Sequence, residues 1–160
     1  MHTGAAQACK QAIRAGVRSL EHVYLIDDEA IAMAEQAGTF VVPTMQMTRE
    51  DLKALHQGTL PEQAVGKFRR DHEQIQAAQR RVAASSVKIA YGIDCGMFAF
   101  SQGINEFRAM TAAGISPVRA LKAATSVAAE LLGRDDLGVQ EAGRCAANCY
   151  QLGPTCSNVA

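Results

Sequence analysis

The sequence predicts a parallel α/β fold, and three observations carry that expectation. Short strand-like runs alternate with amphipathic helices in units of roughly thirty residues, the rhythm of β-α-β architecture. No G-x-G-x-x-G or G-x-x-x-x-G-K-[ST] follows any strand, which removes the usual phosphate-cradling argument for a doubly wound nucleotide-binding sheet and favours a (β/α)₈ barrel. A full barrel takes about 250 residues. This chain has 160, with three clear strands and a stub at Met1-His2, so the spacing fits half a barrel, with an open doubly wound sheet as the competing arrangement.

Each element has a local reason. Ala5, Ala8, Cys9, Ala12 and Ile13 recur at steps of three and four within Gly4–Ala15, and Gly16 supplies a C-terminal stop. Val17–His22 (VRSLEH) alternates as a strand. Asp27 is the N-cap candidate of a second helix carrying Ile31, Ala34 and Ala37 on one face, closed by Gly38. The strand Thr39–Val42 follows and stops at Pro43. A polar connection through Gly58 and Pro61, with His56 on its surface, leads to a long helix from Glu62 to about Ala84 whose Gln, Arg and Glu positions mark a solvated face. Val87–Gly92 (VKIAYG) reads as the third strand, with Lys88 pointing opposite to Val87 and Ile89. Beyond Asp94-Cys95-Gly96, Asn105–Ala113 is a helix ended by Gly114. Ser116-Pro117 opens the next helix, with Pro in its first turn. Thr125–Leu132 is the last, with Thr125-Ser126 as its cap and Gly133 as its end.

Composition bounds the function classes. Sixteen Lys+Arg balance sixteen Asp+Glu, so no global field steers the chain to nucleic acid or to a membrane surface. With 48% hydrophobic and 20% charged residues, it has the makings of a core and not of a disordered segment. The longest uncharged apolar runs, near Thr39–Met47 and Val87–Ile93, fall well short of the ~18–20 residues of a membrane span. Met1–Lys10 lacks the apolar core of a secretory signal. Cys9, Cys95, Cys145, Cys149 and Cys156 show no C-x-x-C pair and read as reduced thiols, which makes a cytoplasmic location the expectation.

His2, His22 and Asp94 stand at strand ends, where a barrel places its catalytic groups. Two imidazoles and a carboxylate suit a divalent ion such as Zn²⁺, Mn²⁺ or Fe²⁺. Taken one at a time, a histidine after a strand is also compatible with a structural hydrogen bond, and an Asp before Gly with an ordinary turn.

The segments together resemble a known family. His2–Ala30 (HTGAAQACKQAIRAGVRSLEHVYLIDDEA) is similar to the amidohydrolase superfamily, in particular its imidazolonepropionase-like and Xaa-Pro dipeptidase-like branch. There the fifth strand ends in a metal-binding His and the sixth in "(I/L)EHG" before "L(I/L)DDE". Thr39–Thr44 (TFVVPT), Val87–Gly96 (VKIAYGIDCG, against "VKIALGTDAG") and Ala120–Gly133 (ALKAATSVAAELLG) match in the same order and spacing. The resemblance implies the C-terminal half of a (β/α)₈ TIM barrel over residues 1–143, with the N-terminal half absent. It implies metal ligands at His2, His22 and Asp94, with Asp94 also the general base toward a water activated by a divalent metal, zinc first with Mn or Fe as alternatives. His72, on the long helix, is the substrate-binding candidate. Substrates would be small amides, dipeptides or cyclic amides cleaved at a C–N bond.

Two departures qualify that expectation. The family's H-x-H pair occurs nowhere in these 160 residues, and the family's bridging lysine has no match. From residue 144 to 160 the sequence leaves the pattern, three cysteines crowd together, and a shifted reading frame or a truncated gene is the expectation. The alternative to an enzyme is therefore a catalytically inactive fragment keeping the fold signature. An open half barrel would expose strand edges and apolar surface, so a homo-oligomer, or a separate N-terminal half, is the expected partner; nucleic acid and membrane are not.

Overall fold

The computed structural model describes residues 1–96 and 98–142. Three parallel strands form one sheet in the order β1 (His2–Ala5), β2 (Ser19–Leu25), β3 (Phe40–Val42). Helix α1 (Ala6–Arg14) joins the first pair and α2 (Asp28–Ala37) the second, so each connection is a β-α-β crossover. The local signals act as their chemistry requires. The Asp27 carboxylate accepts from the Ala30 amide at 2.8 Å and caps α2, while Gly38 closes that helix in the left-handed conformation at φ 66°. Behind the sheet, Cys9, Ile13, Leu20, Ile26, Ile31, Val41, Val82 and Ile89 share one apolar core with Met110 and Ile115.

Helix α4 (Glu62–Ala84) has the predicted bounds, and α5 (Asn105–Ala112), α6 (Pro117–Ala124) and α7 (Ser126–Leu131) follow in the predicted order. Two arginines tie this helical layer to the sheet. Arg119 donates to the carbonyls of Ala83 and Val87 at 2.8 and 2.7 Å. Arg18, just ahead of β2, donates to those of Glu130 and Leu131 at 2.7 and 2.6 Å at the end of α7, where Glu130 C=O also accepts from Gly133 N–H.

Four expectations need correction. The run Val87–Gly92 is not a full strand: it makes a single parallel bridge, Ile89 to Val41, with Val41 N–H donating to Lys88 C=O and Ala90 N–H to Val41 C=O. It has a strand on one side only, and the next amide, Tyr91, turns away to Ala123 C=O of α6. Its side-chain alternation survives, with Val87 and Ile89 buried and Lys88 exposed. Second, the polar connection after Pro43 contains a helix, α3 (Met45–His56), and His56 is its exposed last residue. Third, the N-terminal stub is a four-residue strand that takes in Gly4 and Ala5, so α1 starts later than the periodicity suggests. Fourth, Thr125 does not cap α7: its hydroxyl donates to Leu121 C=O of the preceding helix.

The tail expected to diverge, 144–160, lies outside the described residues. Among the described residues Cys9 is a buried and Cys95 an exposed free thiol, and no helix is long and apolar enough to cross a membrane.

Candidate active site

The residues around His22 carry an unusual backbone. Only four described non-glycine residues have positive φ: His22 (73°), Val23 (48°), Thr44 (44°) and Asp94 (45°). Three of them, His22, Thr44 and Asp94, meet side chain to side chain. Left-handed backbone costs a non-glycine residue of order 1–3 kcal/mol and persists where the surroundings over-determine it, as at functional sites.

A β-bulge follows His22. Thr3 pairs with His22 and Ala5 with Leu25, so two steps along β1 answer to three along β2. The extra residue falls at Val23-Tyr24, which together answer to Gly4, so β2 bends immediately after His22. Val23 occupies the position at which the resembled motif has glycine, and it holds the left-handed conformation although β-branched.

His22 is the hub. Its Nε2 lies 2.6 Å from Nδ1 of His2, and its Nδ1 lies 2.9 Å from Thr44 Oγ1 and 3.8 Å from Asp94 Oδ2. Burial, the largest influence, pushes the His22 pKa below the ordinary histidine range; the Asp94 charge acts the other way and His2 adds to the lowering. The ring of Tyr24 stacks on His22 with centroids 5.4 Å apart and planes 16° apart. Tyr91 anchors the segment that bears Asp94, its hydroxyl donating to Gly103 C=O at 2.5 Å; burial pushes that phenol up to about 12.

His2, His22 and Asp94 are thus brought together, as a line and not as a cage. His2 meets one ring nitrogen of His22, and Asp94 and Thr44 face the other. Among the described residues no three His, Cys, Asp or Glu side chains are arranged to hold a metal ion. The donor types nonetheless suit a divalent ion, and a desolvated, neutral His22 keeps a lone pair for it. Along α4, His72 contacts Gln76 Nε2 at 3.1 Å and the Phe68 ring at 5.1 Å, and its buried Nδ1 has no hydrogen-bond partner among the described residues.

Three residues of this region escape sequence reasoning: Tyr24, Thr44 and Glu106. Thr44 carried a faint signal as the polar residue closing the TFVVPT run. Glu106, on α5, carried none. It is fully buried, and its Oε1 and Oε2 accept from the amides of Met45 (2.8 Å) and Gln46 (2.6 Å) at the start of α3. Burial raises its pKa to about 7 against the lowering effect of those two bonds.

Comparison with known proteins places this arrangement. Residues 1–147 match the amidohydrolase family. Among solved structures, the chain is 33% identical to a Xaa-Pro dipeptidase with methionine bound in its active site, with a TM-score of 0.82 over 91% of this chain and 36% of that one. It is 29% identical to a prolidase complexed with N-methylphosphonate-L-proline (TM-score 0.77, 89% and 35% covered) and 25% identical to ochratoxinase of A. niger (0.69, 86% and 29%). No curated protein sequence matches. The chain spans about a third of the length of these relatives, with the α/β content of their fold, and it belongs to the amidohydrolase family.

Proposed function

We propose that this chain forms the C-terminal half of a (β/α)₈ barrel and supplies one side of a metal-dependent hydrolase site that cleaves C–N bonds of small amides or dipeptides. The observation that supports this reading is the convergence of three side chains from neighbouring parallel segments: His2 at the first residue of β1, His22 within β2, and Asp94 beyond the bridge at Ile89. Prolidase-like relatives favour an Xaa-Pro type of substrate.

In this reading His2, His22 and Asp94 would hold a divalent ion, zinc first and Mn or Fe as alternatives. The ion, when bound, acidifies water and polarises the scissile carbonyl. Asp94 is about half exposed at its left-handed corner, and its carboxylate takes the proton from the attacking water. His22 keeps its orientation through Thr44. The bulge at Val23-Tyr24 bends β2 directly after the residue that carries the imidazole.

A second reading, a chain that retains the fold without turnover, is favoured by one observation: among the described residues His2, His22 and Asp94 form a line and not a cluster arranged to hold a metal ion. Light scattering together with metal analysis of wild type and His22→Ala separates the readings. A dimer or hetero-complex with metal that His22→Ala abolishes, and hydrolysis of Xaa-Pro dipeptides, would support the enzyme. Metal content unaffected by His22→Ala would sink it.

A further inference from the structure

We propose that Glu106 is a positioning residue of this site: by taking over the cap of α3 it frees the Thr44 hydroxyl to orient His22. Thr44 occupies the N-cap of α3, where a threonine ordinarily turns its hydroxyl onto the first free amides of its own helix. Here it makes no such bond, and its Oγ1 lies instead 2.9 Å from His22 Nδ1. Of the amides such a hydroxyl ordinarily takes, that of Gln46 goes to Glu106 instead, whose other carboxylate oxygen accepts from Met45, about sixty positions away.

Each part of this arrangement requires the other. Without an outside acceptor, the buried amides of Met45 and Gln46 would be unsatisfied unless Thr44 turned back to them, and His22 would lose its hydroxyl partner. The left-handed backbone of Thr44 (φ 44°, ψ 49°) is costly for a β-branched residue, and the Glu106 clamp on the following two amides helps to hold it. Glu106 touches neither His22 nor Asp94 in any hydrogen bond of the described residues. It acts through Thr44.

The test reads the His22 ring directly. Side-chain ¹⁵N NMR of the chain is recorded for wild type, Glu106→Gln, Glu106→Asp and Arg18→Ala. Arg18→Ala is the control for instability alone, since Arg18 fastens α7 before the start of β2, at the other end of the strands. Both Glu106 variants should move the His22 Nδ1 and Nε2 resonances toward each other as the tautomer loses its fixed partner, with His56 unchanged; Glu106→Asp serves if Glu106→Gln fails to fold. Arg18→Ala should lower the melting temperature and leave His22 where it was. Unchanged His22 resonances in a folded Glu106 variant, or an equal shift in Arg18→Ala, would overturn the proposal. Zinc titration adds a second reading that rests on the proposed function: affinity should fall roughly tenfold in Glu106→Gln, as for other residues that orient a ligand from behind. Absence of zinc binding in wild type, with the NMR response intact, would defeat the metal reading and leave this one standing.

Discussion

The imidazole of His22 faces the carboxylate of Asp94 across the strand ends, Nδ1 to Oδ2 at 3.8 Å, and both residues hold left-handed backbone to do so. Neither conformation is dictated by its own short segment. Each is imposed by the packing around it, and the pair has measurable consequences.

The first concerns pH. His22 is partly buried and its pKa is lowered, so the unfolded chain binds its proton more readily than the folded one. The stability this contributes is fully present above the ordinary histidine pKa of about 6.5 and is lost as pH falls through the lower folded value. His22→Gln should flatten the urea-midpoint profile below about pH 6.5. Asp94→Asn, which removes the charge that opposes the lowering, should move the His22 titration further down by NMR; an upward move would contradict the geometry.

Glu106 has the opposite sign. Its carboxyl is raised to about 7, so its contribution is complete below its ordinary value and is lost as pH rises through about 7. The stability cost of Glu106→Gln should therefore be larger at pH 5 than at pH 8. Denaturant titrations of both proteins at the two pH values check this, and a cost that grows with pH would refute it.

Val23 tests backbone strain against burial. It is 3% exposed and belongs to the core, so removing its side chain forfeits about 1.5–3 kcal/mol, yet its φ of 48° carries about 1–3 kcal/mol of strain that glycine relieves. The two nearly cancel. Val23→Gly should cost within about 1.5 kcal/mol, whereas Val41→Gly, equally buried but without positive φ, should cost about 3 kcal/mol or more. Equal losses in thermal melts would show that the bulge is not strained.

Gly92 is a steric requirement of the short bridge. A Cβ there would overlap Val42 Cγ1 of β3, so the two segments approach this closely only because the side chain is absent. Gly92→Ala should destabilise by about 1–3 kcal/mol, and Gly92→Ala combined with Val42→Ala should recover part of that loss. Additive losses would show that the contact is not the cause.

What the sequence by itself determined is what local chemistry controls. Asp27 and Gly38 bound α2, Ser116-Pro117 opens α6 with the Ser116 hydroxyl accepting from Arg119 N–H, and the periodicity of α4 sets its full length. The motifs at His2, His22, Thr39–Thr44 and Asp94 also identified the family, because their order and spacing follow from strands that end on one rim. Only the tertiary structure decided the rest. Helix α3 was invisible because its cap comes from Glu106, sixty residues on, and no local pattern records that bond. The expected strand Val87–Gly92 shrank to one bridge because a strand lies on one side of it and the backbone of α6 takes its next amide. The roles of Tyr24 and Thr44 came from a bulge and from left-handed corners. Such features arise where distant elements constrain a residue more strongly than its own neighbours do.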